Sequence, residues 1–189
     1  MNRFFFSTID VSRQVFFRTP LTYAIVNLKP IVPGHVLVIP TRVVKRLTDL
    51  NPPELADLMS SVQRVGVIIE RVYGADALTI ACQDGKAAGQ TVPHVHFHIL
   101  PRKLQGDKFS GRNDEVYPEL ERAEGKLPDD LLTAQKENMT EIVEPLKVDA
   151  DEDRKPRALD EMEKEATWLK SFFTDGTKEE GTGNTNSTL

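Results

Sequence analysis

His94, His96 and His98 alternate with Val95, Phe97 and Ile99 in one run. A β-strand sends successive side chains to opposite faces, so this spacing puts three imidazoles on one face and three apolar side chains in a core. Neighbouring imidazoles would stand ~7 Å apart, two strand rises, which lets their ring nitrogens converge on a tetrahedral group such as a phosphate. The chain holds 4 His, and the fourth is His35. Neutral imidazole is a nucleophile and also the commonest metal ligand, so attack on an electrophile competes with a metal centre. A single alternating His is ordinarily a solvated strand residue; three in register are not. Against a metal, closed zinc sites usually add cysteine, and the chain has only Cys82; the nearest outer-shell acids are Asp84 and Asp107.

Just upstream, Gln83-Asp84-Gly85-Lys86-Ala87-Ala88-Gly89-Gln90-Thr91-Val92-Pro93 joins a predicted strand, Ala77 to Gln83, to the histidine strand. Glycines let backbone N–H groups approach an anion, so this loop can cradle phosphate, although a Gly-containing hairpin loop is ordinarily just a turn. His35 follows a second turn, in Pro30-Ile31-Val32-Pro33-Gly34-His35-Val36-Leu37-Val38-Ile39-Pro40.

Taken together, Gln83 to Arg102 and the segment around His35 resemble the histidine-triad family, in particular its fragile histidine triad branch of dinucleoside polyphosphate hydrolases. The similarity runs from about Phe4 to Lys103 and resumes in Asn113-Asp114-Glu115-Val116-Tyr117 and the last helix. The phosphoramidase branch generally carries Asn where Gln83 stands and Gly-Gly where Pro101-Arg102 stand, and the uridylyltransferase branch carries Gln where His98 stands. The first two differences favour the fragile-triad branch, and His98 in place of Gln argues for water as final acceptor. The resemblance implies that His96 attacks the α-phosphorus of a dinucleotide such as diadenosine triphosphate, giving AMP and ADP through a covalent nucleotidyl-histidine. It implies that His94 and His35 orient His96 and buffer its charge. His98 would touch the α-phosphate and help protonate the leaving group, with Gln83 near the bridging oxygen. Gly89, Gln90, Thr91 and Val92 would cradle phosphates, and Asn27, otherwise a turn residue, would hold the ribose. Tyr117 aligns with a family tyrosine considered a phosphorylation position, and Thr8 stands where short members can present a nucleotide-contacting histidine. No tightly bound cofactor or metal is expected, though a divalent cation, Mg or Mn, can assist with the substrate. Two other readings are a nucleotide-sensing protein that signals as its substrate complex and a nucleoside phosphoramidase. DNA-adenylate repair is disfavoured because one Cys cannot build the zinc finger such enzymes add.

The elements that must position these residues are legible as an α+β fold: an antiparallel meander of about five strands against a long helix and a C-terminal helix. Val15 to Arg18, Tyr23 to Leu28 and His35 to Ile39 read as short strands between proline turns. Asn51-Pro52-Pro53-Glu54 is a helix start, and Gly74 a stop. Between them Leu55, Leu58, Met59, Val62, Val65, Ile69, Val72 and Tyr73 form a stripe that should cover the non-histidine face of the sheet. Residues 1–103 make the histidine-triad core. Residues 104–157 read as a long acidic mobile insertion with a helix over Leu131 to Glu144, and 158–173 as a C-terminal helix. Residues 174–189 read as a disordered tail.

Charge follows these blocks. Residues 1–103 carry 12 Lys/Arg against 7 Asp/Glu, 104–157 carry 9 against 15, and 158–189 carry 3 against 7, for a net charge of −5. The basic surplus lies on the segment with every histidine, which suits a small polyanion and argues against a broad nucleic-acid surface. No run approaches the ~18 apolar residues of a membrane span. Arg3, Arg13 and Arg18 are reminiscent of a transit peptide, but Phe4, Phe5 and Phe6 look like part of the fold. A single Cys fits a reducing setting, cytoplasmic or nuclear. The apolar edge expected of a small sheet suits a homodimer, the arrangement of family members.

Overall fold

The computed structural model describes residues 3–137 and 156–174. A short N-terminal hairpin, β1 (Phe5–Phe6) and β2 (Ile9–Asp10), precedes a five-stranded antiparallel sheet. The sheet strands are β3 (Val15–Arg18), β4 (Thr22–Val26), β5 (Val36–Pro40), β6 (Ala77–Ala81) and β7 (Phe97–Arg102), in the spatial order β3-β4-β5-β7-β6. The expected meander therefore holds for the first three strands and breaks once, where β7 takes the place beside β5 and β6 moves to the edge. That swap is functional, because it pairs Leu37 with His98 and brings the His35 turn to the histidine strand.

Regular pairing of the histidine strand starts at Phe97, not at His94 as expected. Continuing the ladder past the Val38–Phe97 pair would set β5's last residue, Pro40, against Val95, and proline has no N–H to give. The chain from His94 to His96 is held instead by bonds outside the ladder, the His94 N–H to the Val92 carbonyl at 2.8 Å and the Val95 N–H to the Val44 carbonyl at 2.7 Å. The edge strand likewise ends at Ala81, two residues short of Gln83.

Helix α1 (Pro52–Tyr73) forms where its caps predict. The Asn51 side chain accepts from the Glu54 N–H and the Glu54 carboxylate accepts from the Asn51 N–H, both at 2.9 Å. Arg42 also holds Glu54, at 2.7 and 2.6 Å, and keeps that carboxyl down at about 2. Leu58, Val62, Val65 and Ile69 enter the core against β4, β5 and β7. Leu55 and Met59, expected on that stripe, are 42% and 44% exposed; Leu55 lies in the first turn of the helix, and Met59 stands about 100° round the helix from Leu58.

Helix α3 (Leu159–Thr174) buries Met162, Ala166 and Leu169 against β3 and β4, and Phe173 packs on Phe16 and Phe17. Trp168, 44% exposed, meets Tyr73 edge-on, so α3 sits beside the end of α1.

The stretch after Lys103 differs from the mobile insertion expected of it. Helix α2 spans Val116–Glu137, starting well before Leu131. Phe109, Val116 and Leu120 are buried in a second core with Ile31, Val32 and Leu100. Leu100 shares a strand face with His98, so this segment packs directly beside the histidines. Arg102 fixes the turn, donating to Asp107 at 2.5 Å and to Thr79 at 3.1 Å. Of the helix expected over Leu131 to Glu144, residues 138–144 lie outside the described residues, as does the tail after Thr174.

Candidate active site

All four histidines come together and are buried. The His96 and His98 rings stand 5.0 Å apart and His98 and His35 5.2 Å apart, closer than strand spacing alone gives, because His96 precedes the regular strand and the rings turn toward each other.

Hydrogen bonds assign the tautomers. His96 Nδ1–H donates to the carbonyl of His94 at 2.7 Å, which fixes the proton on that nitrogen and leaves the lone pair on Nε2. His35 Nδ1 accepts from the Ile31 N–H at 3.3 Å, so its proton sits on Nε2 and is donated to His98 Nδ1 at 3.0 Å. Neutral His98 then carries its own proton on Nε2. Two neighbouring rings thus present opposite faces of the same chemistry, an Nε2 lone pair on His96 and an Nε2–H on His98.

His94 is spent differently. Its Nδ1 accepts from the Ser7 N–H at 3.0 Å and its Nε2–H donates to the Pro40 carbonyl at 2.9 Å. Burial, first of all, drives its pKa from 6.5 to about 4, so it stays neutral at physiological pH. Its carbonyl rather than its ring orients His96, and His35 acts on His98 rather than on His96.

These nitrogens do not converge as a metal cage would need. Both of His94 are bonded to backbone, one of His96 is bonded to a carbonyl, and one of His35 is aimed at another imidazole. Among the described residues no group of three or more His, Cys, Asp or Glu could hold a metal ion.

The remaining expected residues divide. Asn27 lies at the end of β4, where its Nδ2 stands 3.2 Å from both ring nitrogens of His35 and its side-chain oxygen accepts from the Lys29 N–H. Gln83 approaches the phosphate loop, where a Cβ on Gly89 would fall 2.6 Å from its Nε2; with φ at +88°, Gly89 fits only as glycine. Gln83 Oε1 is buried with no hydrogen-bond partner among the described residues, an arrangement costing ~1–3 kcal/mol that a ligand or water can relieve. Gln90 ties the loop together, accepting from the Gly85 N–H at 3.0 Å and donating to the carbonyl of residue 45 at 3.1 Å. Gly89, Gln90 and Thr91 line one groove, whereas the Val92 side chain is core and offers only its backbone.

Four contributors, Phe6, Ser7, Arg157 and Tyr73, were not expected at the site from the sequence. Phe6 packs edge-on to His96 at 5.1 Å and also lies against His94, and the Ser7 N–H reaches His94 from a turn with φ of +57°. Only the run of three phenylalanines hinted at this. Arg157 donates from Nε to the Asn27 carbonyl at 3.1 Å and is itself gripped by Glu165. Tyr73 donates to Glu165 at 2.6 Å, and its ring fills the space a Cβ on Gly34 would need, 2.6 Å away, which accounts for the glycine before His35. Tyr117 opens α2 and is 58% exposed.

An α+β sheet that gathers four imidazoles at two neighbouring strands defines a histidine-dependent transfer site. The HIT domain family matches residues 9–105, and the chain belongs to it. The chain is 53% identical over 180 residues to the asymmetrical bis(5'-nucleosyl)-tetraphosphatase of Schizosaccharomyces pombe, covering 93% of this chain and 97% of that one. It is 46% identical over 161 residues to the bifunctional bis(5'-adenosyl)-triphosphatase/adenylylsulfatase FHIT of Arabidopsis thaliana, covering 85% and 78%. Among solved structures it superposes on the Plasmodium falciparum diadenosine triphosphate hydrolase, crystallised with cyclomarin A, with a TM-score of 0.64 at 26% identity. That match covers 93% of this chain and 86% of that one.

Proposed function

We infer that this chain is a dinucleoside polyphosphate hydrolase, an enzyme of phosphoanhydride bonds that works through a nucleotidyl-histidine. The observation that carries the mechanism is the bond from His96 Nδ1–H to the His94 carbonyl, which keeps the nucleophile's lone pair on Nε2. His96 Nε2 forms a bond to the α-phosphorus while the bond from that phosphorus to the bridging oxygen breaks. His98 Nε2–H gives its proton to the departing nucleoside di- or polyphosphate. Water then attacks the same phosphorus, His98 takes the water's proton, the P–N bond breaks and the nucleoside monophosphate leaves. His35 steadies His98 throughout, and Asn27 holds His35.

Gln83 and the backbone of Gly89 to Val92 receive the phosphates, whose charge is the main thing to be stabilised. A divalent cation, Mg or Mn, belongs to the substrate in this reading, neutralising its phosphates.

The same reading includes a homodimer. Strand β6 is an outer strand with Ile80 46% exposed, and α1 shows Leu55, Met59 and Val67 to solvent. Sedimentation at micromolar concentration should give twice the chain mass; a monomer there would remove this part. A cytoplasmic or nuclear setting rests on the single Cys82 and is read out by fractionation.

Product analysis in ¹⁸O-water tests the reaction. Diadenosine triphosphate should yield AMP and ADP, and diadenosine tetraphosphate AMP and ATP, with the label in AMP alone. Two ADP from the tetraphosphate, or label in the polyphosphate product, would refute attack at the α-phosphorus.

A further inference from the structure

The relatives named above differ in the polyphosphate length their names carry, and this chain has a feature that bears on length. Lys45, Arg46 and Lys86 line the same groove as Gly89, Gln90 and Thr91, a space of about 650 Å³, within the range of small-molecule sites. It is stitched to the histidines at two points. Pro93, on its wall, directly precedes His94, and the Val44 carbonyl takes the N–H of Val95, between His94 and His96. Gln90 braces the two walls, its side chain spanning from the Gly85 N–H to the carbonyl of residue 45.

The charges in this groove are not equivalent. Arg46 is committed to Asp84 through two bonds of 3.1 Å, and Asp84 also accepts from the Leu47 N–H, so that pair is a fixed, nearly neutral wall. Lys45 and Lys86 are exposed, and neither makes an ion pair among the described residues. Glu121 of α2 approaches Gly89, its Cγ 3.9 Å from where a Cβ on that residue would stand. Two exposed ammonium groups on the groove that Gly89, Gln90 and Thr91 also line can receive further phosphate.

We propose that Lys45 and Lys86 form a distal-phosphate subsite that selects longer polyphosphate chains. This rests on the hydrolase reading. Attack at the α-phosphorus expels a nucleoside diphosphate from a triphosphate substrate and a nucleoside triphosphate from a tetraphosphate substrate. The shorter leaving group ends at Gln90 and Thr91; the longer one carries its added charge on to the lysines. Lysine suits this task as a mobile point charge that follows a flexible chain, where arginine's rigid fork would demand one geometry.

The test compares the wild-type protein with the double variant Lys45→Gln/Lys86→Gln on diadenosine tri- and tetraphosphate, in kcat/KM and in equilibrium titration. The tetraphosphate should lose about tenfold, the size expected of two charge-assisted contacts at an exposed groove, while the triphosphate stays within about twofold. Raising the salt concentration should shrink the wild-type preference toward that of the variant. Equal losses on both substrates, or none, overturn the subsite. If the wild-type protein turned over neither dinucleotide, the hydrolase reading would fail. The titration would still decide the subsite, which stands if tetraphosphate binding alone weakens in the variant and falls if it does not.

Discussion

His94 and His96 are held through the main chain: the Ser7 N–H and Pro40 carbonyl fix one ring, and the His94 carbonyl fixes the other. His35 and His98 are held through each other, ring to ring, with Asn27 and the Ile31 N–H behind them. A backbone carbonyl cannot change its protonation, so the first pair locks one tautomer and with it one lone pair. An imidazole partner can pass a proton on, so the second pair forms a relay suited to leaving-group protonation. Their outer supports differ too. The first pair leans on the N-terminal hairpin, through Phe6 and Ser7, and the second on the C-terminal segment, through Arg157.

Removing the nucleophile should be the most damaging way to break this comparison. His96→Asn should lower kcat by roughly 10⁴–10⁶-fold, as loss of a covalent nucleophile does, while substrate titration stays near wild type. Steady-state rates and calorimetry on the same preparation check it. The proton donor should matter less, and selectively. His98→Gln should cost roughly 10²–10⁴-fold on dinucleotides but far less on an adenylate ester whose leaving group needs no proton, such as a nitrophenolate. Equal losses on both substrates would place His98 in binding rather than protonation. Because His35 acts through His98, the double variant His35→Asn/His98→Gln should be hardly worse than His98→Gln alone.

The pH dependence of stability sharpens the other side. His94 has a folded-state pKa of about 4 against an unfolded value near 6.5, so the unfolded chain binds the extra proton first. Stability is then fully present above pH 6.5 and is lost as pH falls toward 4, by up to about 3 kcal/mol for this group. Denaturant titrations across that window should show a steeper acid loss in the wild type than in His94→Gln, which keeps a donor for Pro40 but has no proton to gain.

A smaller effect is expected at the outer support. Arg157→Met leaves the Asn27 carbonyl without its donor and Glu165 with Tyr73 alone, and should lower stability by roughly 2 kcal/mol. It should also lower kcat several-fold, and added guanidinium should restore part of that rate if Arg157 acts through Asn27 and His35. A rate that guanidinium leaves untouched would reduce Arg157 to a fold-stabilising role.

What could be read ahead of the structure follows from how local each determinant is. The histidine face was legible because a period of two residues is a property of a single strand, and α1 because its caps and apolar stripe are internal to it. The α+β class and the dinucleotide chemistry followed from those motifs together with the resemblance they carry. The wiring of the pairs was not legible, since it depends on contacts between residues far apart in the chain: Ser7 with His94, Pro40 with His94, Arg157 with Asn27. The break in the meander was hidden for the same reason, because strand order is set by which edges meet and not by any one strand's composition. The segment after Lys103 was misread because its few buried residues, Phe109, Val116 and Leu120, are scattered among charges, and only their partners Ile31, Val32 and Leu100 show that they form a core.

The central claim is that His96 Nε2, and not another histidine nitrogen, carries the nucleotide between the two displacements. Rapid-quench peptide mapping under alkaline conditions that preserve P–N bonds, in the first turnovers with labelled diadenosine triphosphate, measures this directly. The account predicts an adenylyl group on His96, attached at Nε2, that forms and decays at rates compatible with turnover. Sustained turnover with His96 unmodified, or an adduct on His98 or at Nδ1, would contradict it.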